Sequence, residues 1–354
     1  MNTIEPLRIL VLGASYGLLA AAKISLAGHH VTLVCRRAEA DTFLAQGAQV
    51  LIPTKDLTDR RALTLPTVAG VTHSGGILGV VDPAGVQPNQ FDLAILAMGE
   101  PQYVAPEIAD IIARIGQIGL PCLSLMNLLP ATFLAALGLD ISRLAPVYGS
   151  FDVWQTLSPS QITSASPDPQ AVRLDPARPN DLTVTLASNF KVAPFVDASH
   201  QALIVRLAQD VDHIEGPATA VRIVAHRSRF VPLAKWPMLI TGNCRCLRDG
   251  PPVSIGEAVH SELAESRQIY EWVSNIVRMI GASDNDLVPF DRYAAAAQSL
   301  SLPSSLARAL YAKAPKIERV DLLVQIVAQE LGQQSDTLNR IVDDIETALI
   351  RNRA

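Results

Sequence analysis

A short segment bounded by glycines near the start of the chain has the residue types of a phosphate-binding loop. It lies between two apolar runs and consists of Gly13, Ala14, Ser15, Tyr16 and Gly17. Where a buried strand turns into a helix, glycines allow a tight turn, and backbone amides at the helix N-terminus can face a pyrophosphate. The loop departs from G-x-G-x-x-G, because Ser15 stands at the second glycine position and the last glycine comes one residue early. Its place between a strand and a helix still predicts a dinucleotide site.

The same five residues also spell G-x-S-x-G, so the nucleophile elbow of an α/β-hydrolase is an alternative interpretation. In that fold an acid and then a histidine follow the serine along the chain. Here Ser15 follows the first strand, and His260, the last histidine, precedes a long region of helical pattern. A third interpretation is a turn with a structural role only. The position of the loop favours the dinucleotide interpretation.

The end of the second predicted strand indicates which dinucleotide would bind. An NAD site has an acidic residue there for the ribose hydroxyls, whereas an NADP site has an arginine that pairs with the 2′-phosphate. The strand Val31–Cys35 is followed by Arg36 and Arg37, and acids come only at Glu39 and Asp41. The sequence therefore favours NADP(H), with Arg36 as a ligand. The alternative is that both arginines are ordinary surface residues.

Composition excludes several classes of function. The 354 residues are 49% hydrophobic and 18% charged with a net charge of -5, which provides a large core and no concentration of basic residues. We therefore expect a small-molecule ligand and no nucleic-acid partner. The uncharged stretch Ile115–Leu139 contains Pro121, Asn127 and Pro130, so no membrane association is expected. Four cysteines without a metal or disulfide spacing, and no signal peptide, predict a cytoplasmic protein without a metal site.

The elements that must position the loop alternate between strands and helices. The predicted strands are Leu7–Leu12, Val31–Cys35, Val50–Ile52, Phe91–Met98 and Pro121–Met126, and the predicted helices between them include Leu18–Ala27 and Pro106–Ile118. Apolar strands joined by helices indicate a sheet that is buried on both faces. The fold class is therefore α/β, an N-terminal Rossmann-type doubly wound parallel sheet followed by a mostly α-helical C-terminal domain.

Two domains are expected. Residues 1–200 would form an NADP-binding Rossmann-like domain with a peripheral excursion at 150–200, and residues 201–354 a helical domain for substrate binding and dimerisation. Within the excursion, Ser158–Asn180 is rich in Ser, Pro and Asp, which predicts an exposed segment. In the helical part, Ile255–Ile280 has apolar residues at helical spacing and predicts one long helix. The stretch Pro53–Gln90 has no clear pattern.

Two further segments carry a resemblance to a known family. They read Gly28-His29-His30-Val31-Thr32-Leu33-Val34-Cys35-Arg36 and Lys316-Ile317-Glu318-Arg319-Val320-Asp321. With the mostly helical C-terminal half, they resemble ketopantoate reductase (2-dehydropantoate 2-reductase), and the chain would be a divergent member. The resemblance implies hydride transfer from NADPH to the keto carbon of a 2-oxo acid in a cleft between the domains. A homodimer through the helical half is compatible with it.

The resemblance implies a catalytic residue. Lys235 matches the lysine at the head of the family's K-x-x-x-N-x-x-x-N helix, Asn243 matches its second asparagine, and Leu239 replaces the first. On an α-helix this spacing would place all three residues on one face, provided that Pro237 lies in the first turn. Lys235 would then donate a proton or a charged hydrogen bond to the carbonyl oxygen. The alternative is a solvated lysine on an amphipathic helix.

The resemblance also implies binding residues. Asn127 matches an asparagine near the nicotinamide, and Met98 and Gly99 follow the strand after which the family has a cofactor-side lysine. Ser304 matches a substrate-binding serine, and Lys316 stands where the family has a glutamate that contacts the substrate. Either Asn127 or Ser304 would equally serve as a helix cap.

The departures from the family pattern bear on the substrate. Leu239 and Lys316 speak against pantoate and favour an anionic carbonyl compound. If the segment is helical, Glu318 cannot replace Lys316 on the same face, because residues two apart point in different directions. We therefore predict an NADPH-dependent reductase of a 2-oxo acid or related carbonyl compound. The alternative is a non-catalytic NADP(H)-binding sensor or interaction protein of reductase ancestry.

Overall fold

A computed structural model describes residues 5–53, 59–214 and 220–354. The chain divides into two compact units. The first comprises Met1–Met98, Gln102–Ala136 and Asp152–Arg229, and the second comprises Gly99–Pro101, Leu137–Phe151 and Phe230–Ala354. The main division along the chain thus lies about thirty residues after the predicted boundary at 200, because a further helix and strand belong to the first unit.

Strands and helices alternate in the first part of the chain. The strands are β1 (Arg8–Leu12), β2 (His30–Val34), β3 (Ala48–Pro53), β4 (Arg60–Leu65), β5 (Thr67–Ala69), β6 (Leu78–Val81), β7 (Leu93–Leu96), β8 (Cys122–Ser124), β9 (Ile162–Pro167), β10 (Gln170–Val172), β11 (Asp181–Leu186), β12 (Phe190–Val192) and β13 (Ile223–Ala225). The helices are α1 (Gly17–Leu26), α2 (Arg37–Gln46), α3 (Pro106–Ile118), α4 (Ala131–Ala136), α5 (Phe151–Trp154) and α6 (Ala198–Asp212).

Nine of these strands form one sheet in the order β13-β12-β9-β8-β7-β1-β2-β6-β5. The strands from β9 to β5 in this order run parallel, and β12 pairs antiparallel with β9. From β1 the chain continues to β2, the neighbour of β1 on one side. Later it forms β7, the neighbour of β1 on the other side. The carboxyl end of β1 is therefore the switch point at which open α/β sheets bind ligands. The predicted doubly wound sheet with a helical C-terminal region is confirmed.

The prediction that Ser158–Asn180 is an exposed, peripheral segment is wrong for residues 161–169, which are buried, and is confirmed for residues 174–178, which are exposed. All six residues of β9 are buried, and this strand lies within the nine-stranded sheet. Two of its three hydroxyl groups have partners: the Thr163 hydroxyl donates to the Ala193 carbonyl at 2.7 Å, and the Ser166 hydroxyl donates to Asp168 Oδ1 at 2.6 Å. Small hydroxyl groups that bond to the backbone can thus occupy a buried strand that composition alone assigns to the surface.

A second sheet accounts for much of the stretch that has no clear sequence pattern. Its four strands have the order β10-β11-β3-β4, so it joins the region after α2 to the region after β9. Within Pro53–Gln90, residues 54–58 lie outside the described part of the chain. The rest of that stretch contains β4, β5 and β6.

Helix α1 contains a buried lysine whose charge is costly. Lys23 is only 1% exposed, and its Nζ donates to the Ala220 carbonyl at 3.1 Å. Burial, together with the positive charge of Arg222, lowers the pKa of Lys23 to about 8. The unfolded chain would hold this proton more tightly than the folded chain, because an exposed lysine has a pKa near 10.4.

We therefore expect the free energy of unfolding of the wild type, relative to Lys23→Met, to rise as the pH increases from about 8 to about 10.5. The total gain should be on the order of 3 kcal/mol. Urea unfolding of both proteins at several pH values measures it, and the difference cancels titrations that the two proteins share. A difference that does not change with pH would contradict this account of Lys23.

The second unit is helical. Its helices are α7 (Lys235–Met238), α8 (Ile255–His260), α9 (Leu263–Ile280), α10 (Phe290–Ala297), α11 (Ser305–Tyr311), α12 (Val320–Glu330) and α13 (Asp336–Arg353). The prediction of one helix over Ile255–Ile280 is wrong, because the helical conformation is interrupted before α9. Arg245 donates to the side chains of Glu265 and Ser266 in the first turn of α9, so contacts from elsewhere in the unit stabilise this start. Within the described residues, no helix has the length and apolarity to span a membrane.

Candidate functional site

The glycines of the loop after β1 are required by close backbone approaches. Gly13 has a φ of 110°, and a Cβ there would lie 2.7 Å from Met98 Cγ and 2.8 Å from the Ala97 carbonyl oxygen. At Gly17, a Cβ would lie 2.8 Å from a methyl group of Val11 and 2.9 Å from the Ala97 Cβ. The loop thus packs directly against β1 and the end of β7, where a side chain would push it away.

The loop offers a row of backbone donors. Within the described chain, no acceptor bonds to the amides of four consecutive residues, Ala14, Ser15, Tyr16 and Gly17. No side chain caps the N-terminus of α1. An anion is favoured at such a point, because unpaired amides and the positive end of the helix dipole act together. The pyrophosphate of a dinucleotide therefore fits this loop.

The serine of the loop has no catalytic partner. Ser15 is exposed, and within the described residues its hydroxyl bonds to no histidine. A nucleophile elbow needs a base within hydrogen-bond reach of the serine. The geometry therefore gives the hydrolase interpretation no support.

Three further predicted residues follow parallel strands of the same sheet. Arg36 follows β2, Met98 follows β7, and Asn127 follows β8. Because parallel strands end at one edge of the sheet, all three lie at the edge that carries the loop. Asn127 precedes the first residue of α4, Ala131, by four positions, so it is not the cap of that helix.

The predicted 2′-phosphate ligand is paired with an acid. Arg36 precedes α2, its side chain is 82% exposed, and its Nη2 donates to Glu39 Oε1 at 3.0 Å. The buried Glu39 also accepts from the Arg36 amide at 3.3 Å through Oε2. Burial raises the pKa of Glu39, but hydrogen bonds from Arg36 and Arg173 outweigh it, and the pKa is lowered. Glu39 is therefore a carboxylate at neutral pH.

Sequence analysis missed Arg173, which follows β10. Its Nη1 donates to Glu39 Oε1 at 2.7 Å, and its Nη2 donates to the Ala14 carbonyl at 2.7 Å. Nearby, the Tyr16 hydroxyl donates to the Pro169 carbonyl at 2.8 Å. The segment around β10 thus holds the glycine loop at two points. No sequence signal marks Arg173, because composition assigned its surroundings to the surface.

In the second unit, Lys235 is the first residue of α7 and is 8% exposed. The prediction that Pro237 lies in the first turn is confirmed. The prediction of α-helical geometry from Lys235 to Asn243 is wrong, however. The helix continues as a π-helical segment over Leu239–Asn243. Bonds from i to i+5 place one extra residue in a turn, so residues at i, i+4 and i+8 do not share one face here.

Helix α7 and the π-helical segment each contain a buried polar group that has no hydrogen-bond partner among the described residues. Within the described residues, no hydrogen bond reaches the buried Trp236 Nε1 or Thr241 Oγ1. Tyr293 covers the segment, and its hydroxyl donates to the Met238 carbonyl at 3.1 Å. π-Helical turns occur often at functional sites, and buried unpaired groups point to a bound water or ligand. Both observations mark the surroundings of Lys235 as a candidate site.

Ser304 has a structural role next to this segment. Its hydroxyl donates to the Asn243 carbonyl at 2.7 Å and accepts from the Ala307 amide at 3.1 Å, which caps α11. These bonds use its only hydrogen. Ser304 thus fixes the end of the π-helical segment, whether or not a substrate also approaches it.

Lys316 lies on an exposed stretch before α12, which begins only at Val320. The argument that Glu318 cannot replace Lys316 assumed a helix here, and this assumption is wrong because α12 begins only at Val320. Glu318 is half-buried, and its Oε1 accepts from the Glu100 amide at 3.3 Å. The Glu100 carboxylate is itself buried and accepts from the Ser150 amide and hydroxyl at 2.7 and 2.6 Å. Next to this stretch, the structure thus brings together a buried acid, Glu100, and a half-buried acid, Glu318.

The predicted residues fall into two groups. The first unit holds Gly13, Ala14, Ser15, Tyr16, Gly17, Arg36, Met98 and Asn127. The second unit holds Gly99, Lys235, Asn243, Ser304 and Lys316. At Gly99, a Cβ would meet no atom within 4 Å, so this position has no functional side chain and is not crowded.

No protein-family model and no curated protein matches the chain. Solved structures do match it over nearly its whole length. A ketopantoate reductase from Ralstonia eutropha JMP134 is 16% identical with a TM-score of 0.66, covering 98% of this chain and 100% of the other. D-mandelate dehydrogenase, solved with NADH and anilino(oxo)acetate, is 14% identical with a TM-score of 0.64 and the same coverage.

A dimeric ketopantoate reductase from Staphylococcus aureus is 12% identical with a TM-score of 0.59, covering 98% of this chain and 100% of the other. All three neighbours are reductases or dehydrogenases by name. Their similarity confirms, at the level of the fold, the resemblance that the sequence motifs carry. The chain has the fold of the ketopantoate reductases and of D-mandelate dehydrogenase.

Proposed function

We propose that the protein is an NADP(H)-dependent reductase of a 2-oxo acid or a related anionic carbonyl compound. The observation that carries the proposal is the row of four unpaired amides, Ala14 to Gly17, at the switch point of the sheet. The named activities of proteins with this fold support the same reaction class. The Staphylococcus aureus neighbour is dimeric, which supports a homodimer here as well.

The residues present fit a dinucleotide. The loop amides and the N-terminus of α1 would hold the pyrophosphate, and Arg36 would face the 2′-phosphate. Asn127 and Met98, at the same edge of the sheet, would lie beside the nicotinamide end. The cofactor supplies the hydride when it is bound. The preference for NADP(H) over NAD(H) rests on arginine, rather than a free carboxylate, at the end of β2.

Lys235 would act at the oxygen of the substrate. A carbonyl oxygen gains negative charge as its carbon accepts hydride, and a positioned ammonium group stabilises that charge and supplies the proton. The buried position of Lys235 at the start of α7 limits the water around it. Asn243 and Lys316 are proposed to bind the substrate, whose anionic group would account for the second lysine. Ser304 would position Asn243.

The alternative is a protein that binds NADP(H) without turnover and acts as a sensor. Gly99 favours it, because no side chain is present where the related family has a cofactor-side lysine. The exposed position of Lys316 also favours it, because that residue is not held toward a substrate by any helix.

A fluorescence titration with NADPH and NADH tests both candidates. We expect NADPH to bind more tightly, because Arg36 would pair with the 2′-phosphate, which NADH lacks. If neither NADPH nor NADH binds, both candidate functions are refuted. If NADPH binds, its oxidation in the presence of a panel of 2-oxo acids separates them. Turnover with any member identifies the reductase, and binding without turnover across the panel identifies the sensor.

A further inference from the structure

We infer that Arg173 determines cofactor specificity and that, with Arg36, it holds the 2′-phosphate of NADP(H). The inference rests on the proposed function and assigns a role to a residue that lies outside the strand–helix–strand unit. Arg173 follows β10, a strand of the second sheet. It reaches the dinucleotide loop from a part of the chain that is about 160 residues later in sequence.

The position of Arg173 is suited to this role. One nitrogen of its guanidinium contacts the Ala14 carbonyl within the loop, and another contacts Glu39 in the first turn of α2. The guanidinium therefore lies between the loop that would bind the pyrophosphate and the end of β2. In dinucleotide folds the adenosine ribose lies between these two elements. With 18% of the side chain exposed, Arg173 is held in place and still borders solvent.

The charges of these side chains favour an anion. Arg36 and Arg173 both donate to the same oxygen of Glu39, at 3.0 and 2.7 Å. Two nitrogens that meet at one oxygen lie within the span of a single phosphate group. These three side chains carry two positive charges and one negative charge, so Glu39 alone does not neutralise both guanidiniums. A 2′-phosphate would supply further acceptor oxygens and negative charge through charged hydrogen bonds to both guanidiniums.

Glu39 acts as a counter-ion in this arrangement and not as a ribose ligand. Both of its carboxylate oxygens already accept hydrogen bonds, Oε1 from the two arginines and Oε2 from the Arg36 amide. An NAD site needs a carboxylate that is available to the ribose hydroxyls. In addition, the buried Arg173 Nε has no acceptor within the described residues. The carboxylate thus leaves the guanidinium incompletely bonded, and the additional acceptor oxygens of a phosphate would relieve this.

Two small nucleotides test the inference, because 2′,5′-ADP and 5′-AMP differ only in the 2′-phosphate. Isothermal titration calorimetry should show that Arg173→Met weakens 2′,5′-ADP roughly tenfold to a hundredfold, the effect of losing a hydrogen bond to a charged group. The affinity for 5′-AMP should change little. Arg173→Lys, which keeps the charge but not the planar fork, should give an intermediate loss for 2′,5′-ADP.

Arg178→Met is the matched control. Arg178 lies in the same segment, is exposed, and pairs with Asp181 at 2.9 Å. Its replacement should leave the affinities for both nucleotides unchanged. If Arg173→Met and Arg173→Lys weaken both nucleotides equally, Arg173 only supports the loop through Ala14, and the inference is overturned. If the wild type binds neither nucleotide nor NADPH, the proposed function itself fails, so the two failures are distinguishable.

Discussion

Replacement of Lys235 by methionine should lower kcat for the best 2-oxo acid substrate by roughly a hundredfold to ten-thousandfold, the usual contribution of a positioned general acid. The affinity for NADPH should stay within about twofold of the wild type, because Lys235 belongs to the second unit and the dinucleotide loop to the first. Steady-state oxidation of NADPH at saturating substrate measures the first quantity, and a fluorescence titration measures the second. Methionine matches the length of the lysine chain, so α7 should keep its packing.

Lys313→Gln serves as the control for this experiment. Lys313 is exposed and belongs to the same unit. Its φ is 65°, and this backbone conformation strains lysine and glutamine equally, so the replacement adds no backbone strain. We expect kcat and KM to remain at wild-type values in this variant. Undiminished turnover in Lys235→Met would remove Lys235 from the mechanism and leave the dinucleotide site unaffected.

Replacement of Arg319 by methionine should destabilise the protein by about 3–5 kcal/mol, because it leaves a carboxyl group buried without its partner. Asp321 is fully buried, and Arg319 holds it with Nε and Nη2 at 3.1 and 2.9 Å and also bonds to Glu346. Burial raises the pKa of Asp321, although the bonds from Arg319 oppose this. The midpoint of urea unfolding, followed by the fluorescence of the buried Trp236 in the same unit, measures the loss.

A second variant shows whether the loss comes from the unpaired carboxyl group. The double replacement Arg319→Met with Asp321→Leu removes both charges, and most of the lost stability should return. Arg278→Met is the surface control; its ion pair with Asp284 is exposed, so its loss should cost about 0–1 kcal/mol. A double variant as unstable as the single one would show that the packing of Arg319, rather than its charge, stabilises this part of the helical unit.

The sequence predicts the sheet well because its signal is local. Strands such as β1 and β7 are runs of Leu, Ile and Val that are buried on both faces, and few other structures accommodate such runs. The glycine loop is predictable for the same reason, since Gly13 and Gly17 lie between a strand and a helix that are both evident. The amino-acid sequence alone is therefore enough to place the glycine loop at one edge of the sheet.

Features that depend on distant contacts are not predictable in this way. Strand β9 is rich in serine and threonine, and its burial depends on partners that local sequence does not reveal, such as the Ala193 carbonyl that accepts from Thr163. Arg173 contacts the loop only because β10 belongs to a second sheet. The break before α9 and the π-helical turn after Lys235 follow from side chains packed against them, such as Arg245 and Tyr293.

The second sheet also has a consequence for how the chain reaches its native state. Strand β11 pairs in parallel with β3, so that Thr183 lies opposite Leu51. Contacts between such distant parts of a chain form slowly, because a long loop must close before any stabilisation is gained. During synthesis, one edge of the β3–β4 pair stays unpaired until the chain beyond residue 180 has left the ribosome. Arg173 contacts the glycine loop at the same late stage. The 2′-phosphate of a nucleotide added during refolding should therefore be bound by Arg173 only after this long-range closure.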